Sequence, residues 1–193
     1  KDNKLKVLYI KPDLSSASDK EKSRERLVFG VLQQYARSNL LEELCIISNL
    51  KAESSIETIS ISSYWEDINK IIASAYHMIN VLKNTEALLE NNVTPSETSR
   101  LSSIGVVNYK NLEEHMFYDL ENPRTKKYFF MICQETLNSN KNLLQNIRSF
   151  VKRKASEEEK CSAGFAIHSS DYLQDYVYCV QHASFIQEEK FVY

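Results

Sequence analysis

The stretch LLEELCIISNL, residues 40–50, decides how the rest of the chain is read. Taken as a coil, it places Leu40, Leu41, Leu44 and Ile47 at three- and four-residue intervals on one face, a second short helix after a break at Ser38 and Asn39. The same run reads as naturally extended. Its neighbours must decide.

To its left, Leu27, Val28, Val31, Leu32 and Tyr35 mark one face of a helix over about 19–37. To its right, Tyr64, Trp65, Ile68, Ile71, Ile72, Ala75, Met78, Ile79 and Leu82 cover a wide arc of a segment over about 64–91, a central helix packed on more than one side. Further periodic segments follow at 95–104, 112–121, 125–138, 141–156 and 171–189. Start signals recur as a capping oxygen three residues before a carboxylate: Ser18 with Glu21, Asn39 with Glu42, Ser54 with Glu57, Ser63 with Glu66, Thr94 with Glu97 and Asn111 with Glu114. Thr94 is the strongest, because Pro95 then takes the first helical position. The chain has 3 glycines and 3 prolines in 193 residues, so Ser and Asn supply most of the punctuation, as in helices joined by short turns.

These signals predict an all-α fold: a single helical domain over 1–193, an irregular bundle or short repeat-like array of about eight helices, consistent with excision from a longer protein. The alternative is an α/β fold with a small buried sheet. It rests on LKVLYI at 5–10, TISIS at 58–62, GVVNY at 105–109 and GFAIH at 164–168, each short, β-prone and set a few residues before a helix start.

Composition narrows function. With 42% hydrophobic and 26% charged residues and a net charge of -2, the chain belongs to the ordinary globular class and has no global attraction to phosphate. Cys45, Cys133, Cys161 and Cys179 are far apart and read as free thiols; His77, His115, His168 and His182 are too scattered to suggest a metal centre. Gly30, Gly105 and Gly164 are isolated, so no glycine-rich turn is present to bring backbone amides to a phosphate. Gly30 is expected at a close helix contact. No catalytic residue, cofactor site or metal site emerges, and the chain is read as a non-enzyme. No secretory signal or transmembrane segment is evident, which points to an intracellular protein, cytoplasmic or nuclear.

The function this implies is a protein–protein interaction scaffold or adaptor, its partner another protein met through Tyr178, which points away from the apolar stripe of the last helix, and through Phe191 and Tyr193 at the end of the chain. A first alternative is a nucleic-acid or anionic-lipid binding module. Lys141, Arg148 and Lys152 share one side of the helix over 141–156, Arg153 and Lys154 extend the stripe, and Lys126 and Lys127 could join it. Cations at a helix C-terminus also serve stability alone, and Glu157, Glu158 and Glu159 would repel phosphate at the same place. Ser156, preceded by Arg153 and Lys154, is a candidate phosphorylation site. A second alternative is an α/β enzyme frame without catalytic residues.

Overall fold

The computed structural model describes residues 5–56, 60–184 and 186–187. The ambiguous stretch at 40–50 is extended. Glu43–Ser48 form strand β2, with Leu44, Cys45, Ile46 and Ile47 all buried. A helix would have turned some of these four consecutive side chains to water, whereas a strand between two layers buries both of its faces.

Around β2 the chain runs β1 (Lys6–Lys11), α1 (Asp19–Arg37), β2, α2 (Asn49–Glu53), α3 (Tyr64–Lys83), β3 (Leu89–Asn91), β4 (Leu101–Val107), β5 (Glu114–Met116), β6 (Thr125–Cys133), α4 (Gln134–Ser139), α5 (Leu143–Ser156), β7 (Ser162–Ser170) and β8 (Tyr176–Ala183). All eight strands form one mixed sheet in the order β1-β2-β4-β8-β6-β7-β3, with β5 beside β4. Strands β1, β2 and β4 are parallel. Strand β8 enters between β4 and β6, antiparallel to both, and β7 continues parallel to β6. The last described strand is therefore the wedge that joins the two halves.

Helices cover both faces. Residues 45 and 47 of β2, 104 of β4, 129 of β6, 166 of β7 and 180 of β8 lie on one face, where Ile68, Ile72, Ala75 and Ile79 of α3 meet them. The opposite face carries two clusters. Phe29 and Ala36 of α1 pack on Leu44, Ile46 and Leu101, and Ile147, Phe150 and Val151 of α5 pack on Tyr128, Phe130, Phe165 and Ile167. Each such isoleucine or phenylalanine contributes about 1.5–3 kcal/mol by leaving water.

The eight-helix, all-α expectation is overturned. Segments 95–104, 112–121, 125–138 and 171–189 contain, in turn, the start of β4 and all of β5, β6 and β8, and of these expected helices only 134–138, in α4, is helical. In the apolar runs of β6 and β8 any template finds matches at three- and four-residue spacing, so the periodicity there was an accident of strands buried on both faces. Of the four β-prone stretches, those at 5–10, 105–109 and 164–168 fall on β1, the end of β4 and β7. In the fourth, Thr58 and Ile59 lie outside the described residues, and Ser60 to Ser62 belong to no strand.

Three helices are present where read, one of them shorter: the helix expected over 64–91 ends at Lys83, and Leu89–Asn91 of that span form β3. Helix α1 occupies 19–37 with its capping box in place: the Glu21 amide donates to Ser18 Oγ, and the Ser18 amide donates to Glu21 Oε2. Helices α3 and α5 start at Tyr64 and Leu143. Of the other boxes, Glu57 of the Ser54 pair lies outside the described residues, and Ser63 caps α3 without a side-chain bond to its backbone. Asn39 turns the chain at φ 65° into β2, Thr94 lies in a loop, and Glu114 belongs to β5.

Candidate functional site

Glu43, the first residue of β2, and His182, near the end of β8, meet where α3 ends, and a cleft of about 890 Å³ opens there at the amino ends of the parallel strands. Three elements meet there, with Ser102 buried beneath the lining. Glu43 begins β2, Ser102 follows it across the β2–β4 ladder, and His182 pairs with Ser102 from β8. Ser102 Oγ donates to Glu43 Oε1 at 2.7 Å, His182 Nε2 stands 3.8 Å from the same oxygen, and Lys6 Nζ lies 3.3 Å from Glu43 Oε2. Thr125 Oγ1 is 3.3 Å from His182 Nδ1. The cleft thus ties the first half of the sheet to the second.

Burial acts to raise the Glu43 carboxyl, but Lys83, the Ser102 hydroxyl, His182 and Lys6 outweigh it and hold the group below its ordinary range. Burial pushes His182 down to about 4, against the pull of Glu43 and with the help of Lys83 and Lys6. At neutral pH the pair is a carboxylate beside a neutral imidazole. Serine, histidine and glutamate are the residue types of a hydrolytic triad, yet the connectivity is wrong for one: the hydroxyl donates to the carboxylate and not to the imidazole. The arrangement can position and bind; it does not activate a nucleophile.

His168 of β7 lines the same cleft. Its Nδ1 is 3.4 Å from Thr85 Oγ1, its Nε2 is buried without a hydrogen-bond partner, and burial lowers its basicity.

The carboxyl ends of β1 and β2 have a different character. Lys11 closes β1 and pairs with Glu25 of α1 at 2.6 Å while lying 3.8 Å above the Phe29 ring; Tyr9 donates to the same Glu25 at 3.0 Å. Beyond them, at the start of α3, Trp65 is 64% exposed and meets the Tyr64 ring edge-on at 5.1 Å, with Tyr64 anchored to Glu53 at 2.7 Å. Open α/β sheets take their ligands at this end of the strands. Among the described residues no group of three or more His, Cys, Asp or Glu could hold a metal ion.

The residues singled out from sequence are scattered. Tyr178 lies in β8 and is only 8% exposed, because the helix that was to turn it outward does not form. Phe191 and Tyr193 lie outside the described residues. The basic stripe divides. Lys154 is drawn inward to Glu114 and Glu157, both at 2.8 Å, and Arg153 lies 4.0 Å from Glu157. Lys141, Arg148 and Lys152 remain exposed. Lys126 is 4% exposed against Glu158, and Lys127 pairs with Glu90. Ser156 ends α5 exposed, its hydroxyl donating to the Arg153 carbonyl at 2.7 Å.

Glu43, Ser102, Thr125, Lys83 and His182 were missed, since nothing local links positions so far apart in sequence. Their one signal was Glu43 at the head of an otherwise apolar run. The four cysteines are free, as read. No described helix is long and apolar enough to cross a membrane.

No family model and no curated protein matches this sequence. Solved structures do match. FtsZ of M. jannaschii, in an empty dimer, is 12% identical with a TM-score of 0.65 over 93% of this chain and 54% of its own. Its W319Y mutant is 13% identical with a TM-score of 0.66, over 93% and 56%. TubZ of Bacillus thuringiensis serovar israelensis, in a GTPγS-form protofilament, is 14% identical with a TM-score of 0.61, over 93% and 52%. The chain spans about half the length of the structures it matches. The α/β fold overturns the reading as a helical adaptor scaffold, and with it the basic stripe as a continuous phosphate-binding surface. What the chain shares with FtsZ and TubZ is the fold of roughly half of those proteins.

Proposed function

We propose that this chain is part of a filament-forming protein of the FtsZ/TubZ type, assembling head to tail under the control of a guanine nucleotide. The observation that carries the reading is the shared fold over 93% of the chain with a TubZ whose structures are described as GTPγS-form and GDP-form protofilaments. The chemistry of the two ends supports it. Head-to-tail growth joins two unlike surfaces, and this chain has an aromatic carboxyl end around Trp65 and a charged amino end around Glu43 and Lys83.

In this reading the protein works inside the cell and its first partner is another copy of itself. The chain contributes surfaces and not a phosphate cradle, since its only glycines are single residues in α1, β4 and β7. Catalysis is not proposed for these residues alone.

The test is assembly of the natural full-length protein with GTPγS and, separately, GDP, followed by pelleting and negative-stain electron microscopy. Filaments whose amount depends on the nucleotide are expected. Protein that stays monomeric with either nucleotide in analytical ultracentrifugation ends the reading.

A further inference from the structure

Strand β3 is the terminal strand of the sheet on the side away from β1, and all three of its residues, Leu89 to Asn91, are exposed. Its outer edge has no strand partner among the described residues. Between this edge and α5 lies a groove of about 580 Å³. Leu89, Val151, Ala155 and Phe165 give it an apolar floor, and Arg148 and Lys152 overhang it from one side of α5. Lys154, on the same helix, is consumed by Glu114. Arg148 and Lys152 make no ion pair among the described residues and are exposed.

The direction of the elements sets what fits. Strands β6 and β7 are parallel, so α5, which connects them, runs back against both. Strand β3 is antiparallel to β7 and therefore runs with α5. Along that shared direction Arg148 and Lys152, four helical residues apart, are separated by about 6 Å. Alternate side chains of an extended strand repeat at about 6.6 Å. Two acidic residues at positions i and i+2 of a peptide lying against β3 thus match the two cations, while the open backbone edge supplies main-chain hydrogen bonds.

We propose that the β3 edge and the α5 groove bind an extended acidic peptide, which adds to the sheet as a further strand and sets alternate carboxylates on Arg148 and Lys152. Leu89, exposed on β3 and lining the groove, offers an apolar surface to the methylene stems of those acids. A polyanion is a poorer match. Duplex nucleic acid is held by about 6–10 phosphate contacts, and here the groove offers two cations without an ion pair among the described residues.

A fluorescein-labelled peptide of alternating Glu and Val tests this by anisotropy with the full-length protein. Arg148→Glu with Lys152→Glu is expected to weaken binding by about tenfold or more, and Lys141→Glu, outside the groove, to leave it unchanged. A peptide of the same sequence with alternate backbone nitrogens methylated should also bind about tenfold more weakly, because it cannot pair along an edge. Binding should slow hydrogen exchange at Leu89 to Asn91. The proposal falls if the paired charge reversal or the methylation leaves affinity unchanged. It also falls if a short RNA duplex or phosphatidylserine vesicles bind through Arg148 and Lys152 while the peptide does not.

Discussion

Lys154 Nζ lies 2.8 Å from Glu114 Oε2, which ties the last turn of α5 to the short strand β5. Both side chains are largely buried, and Glu114 also accepts the Tyr128 hydroxyl at 2.7 Å. The junction where a basic run gives way to an acidic one is thus a staple, with one lysine turned inward and its neighbours left outside. Burial acts to raise Glu114, and its bonds from Lys154 and Tyr128 hold it below its usual range. Glu114→Ala leaves the Lys154 ammonium with Glu157 alone and removes the Tyr128 acceptor, so urea unfolding should show a loss of about 1–3 kcal/mol. Lys152→Ala, two residues away and exposed, should change stability by less than about 0.5 kcal/mol.

Acid should weaken the fold through His182. Its basicity is ordinary in the unfolded chain, at 6.5, and lower in the folded one, at about 4. Between those values the unfolded state binds the extra proton, so stability is fully present above about pH 6.5 and is lost as pH falls toward 4. His168, lowered by burial, acts in the same sense. Urea midpoints measured from pH 7 down to 4.5 should fall, and His182→Gln should flatten that fall, with the residual slope carried by His168. Glu43, held below its usual value, adds its own loss only at still lower pH.

Glycines at two strand positions are there for closeness. A Cβ on Gly164 would strike the Asn91 carbonyl and come within 3.0 Å of the Val93 amide, and one on Gly105 would stand 2.5 Å from the His115 carbonyl. Gly164→Val should push β3 off β7 at a cost of about 1–3 kcal/mol and speed hydrogen exchange at Leu89 to Asn91. Gly30 has nothing within 4 Å of its Cβ position, so it does not mark a close helix contact. Gly30→Ala in the middle of α1 should stabilise by about 0.5–1 kcal/mol.

Trp65→Ala separates assembly from folding. At 64% exposure the ring contributes little to the core, so melting should hold steady while nucleotide-dependent pelleting declines. Equal pelleting would remove Trp65 from the assembling surface.

Sequence alone determined α1 with its Ser18 and Glu21 box, the start of α3 and the body of α5, because a helix closes its hydrogen bonds four residues away and writes its signals locally. Even there, local signals misled at Asn39 and Thr94, where the same residue types serve a turn and a loop. The strands were settled elsewhere. Leu101 finds its partners in Leu44 and Ala183, and Tyr178 finds Val106 and Phe129, pairings that exist only once distant segments have met. Tertiary structure therefore decided the sheet, the burial of Tyr178 and the meeting of Glu43 with His182. Strand pairing leaves no local period in a segment whose two faces are both covered, and a cleft assembled across 139 positions of chain has none to leave.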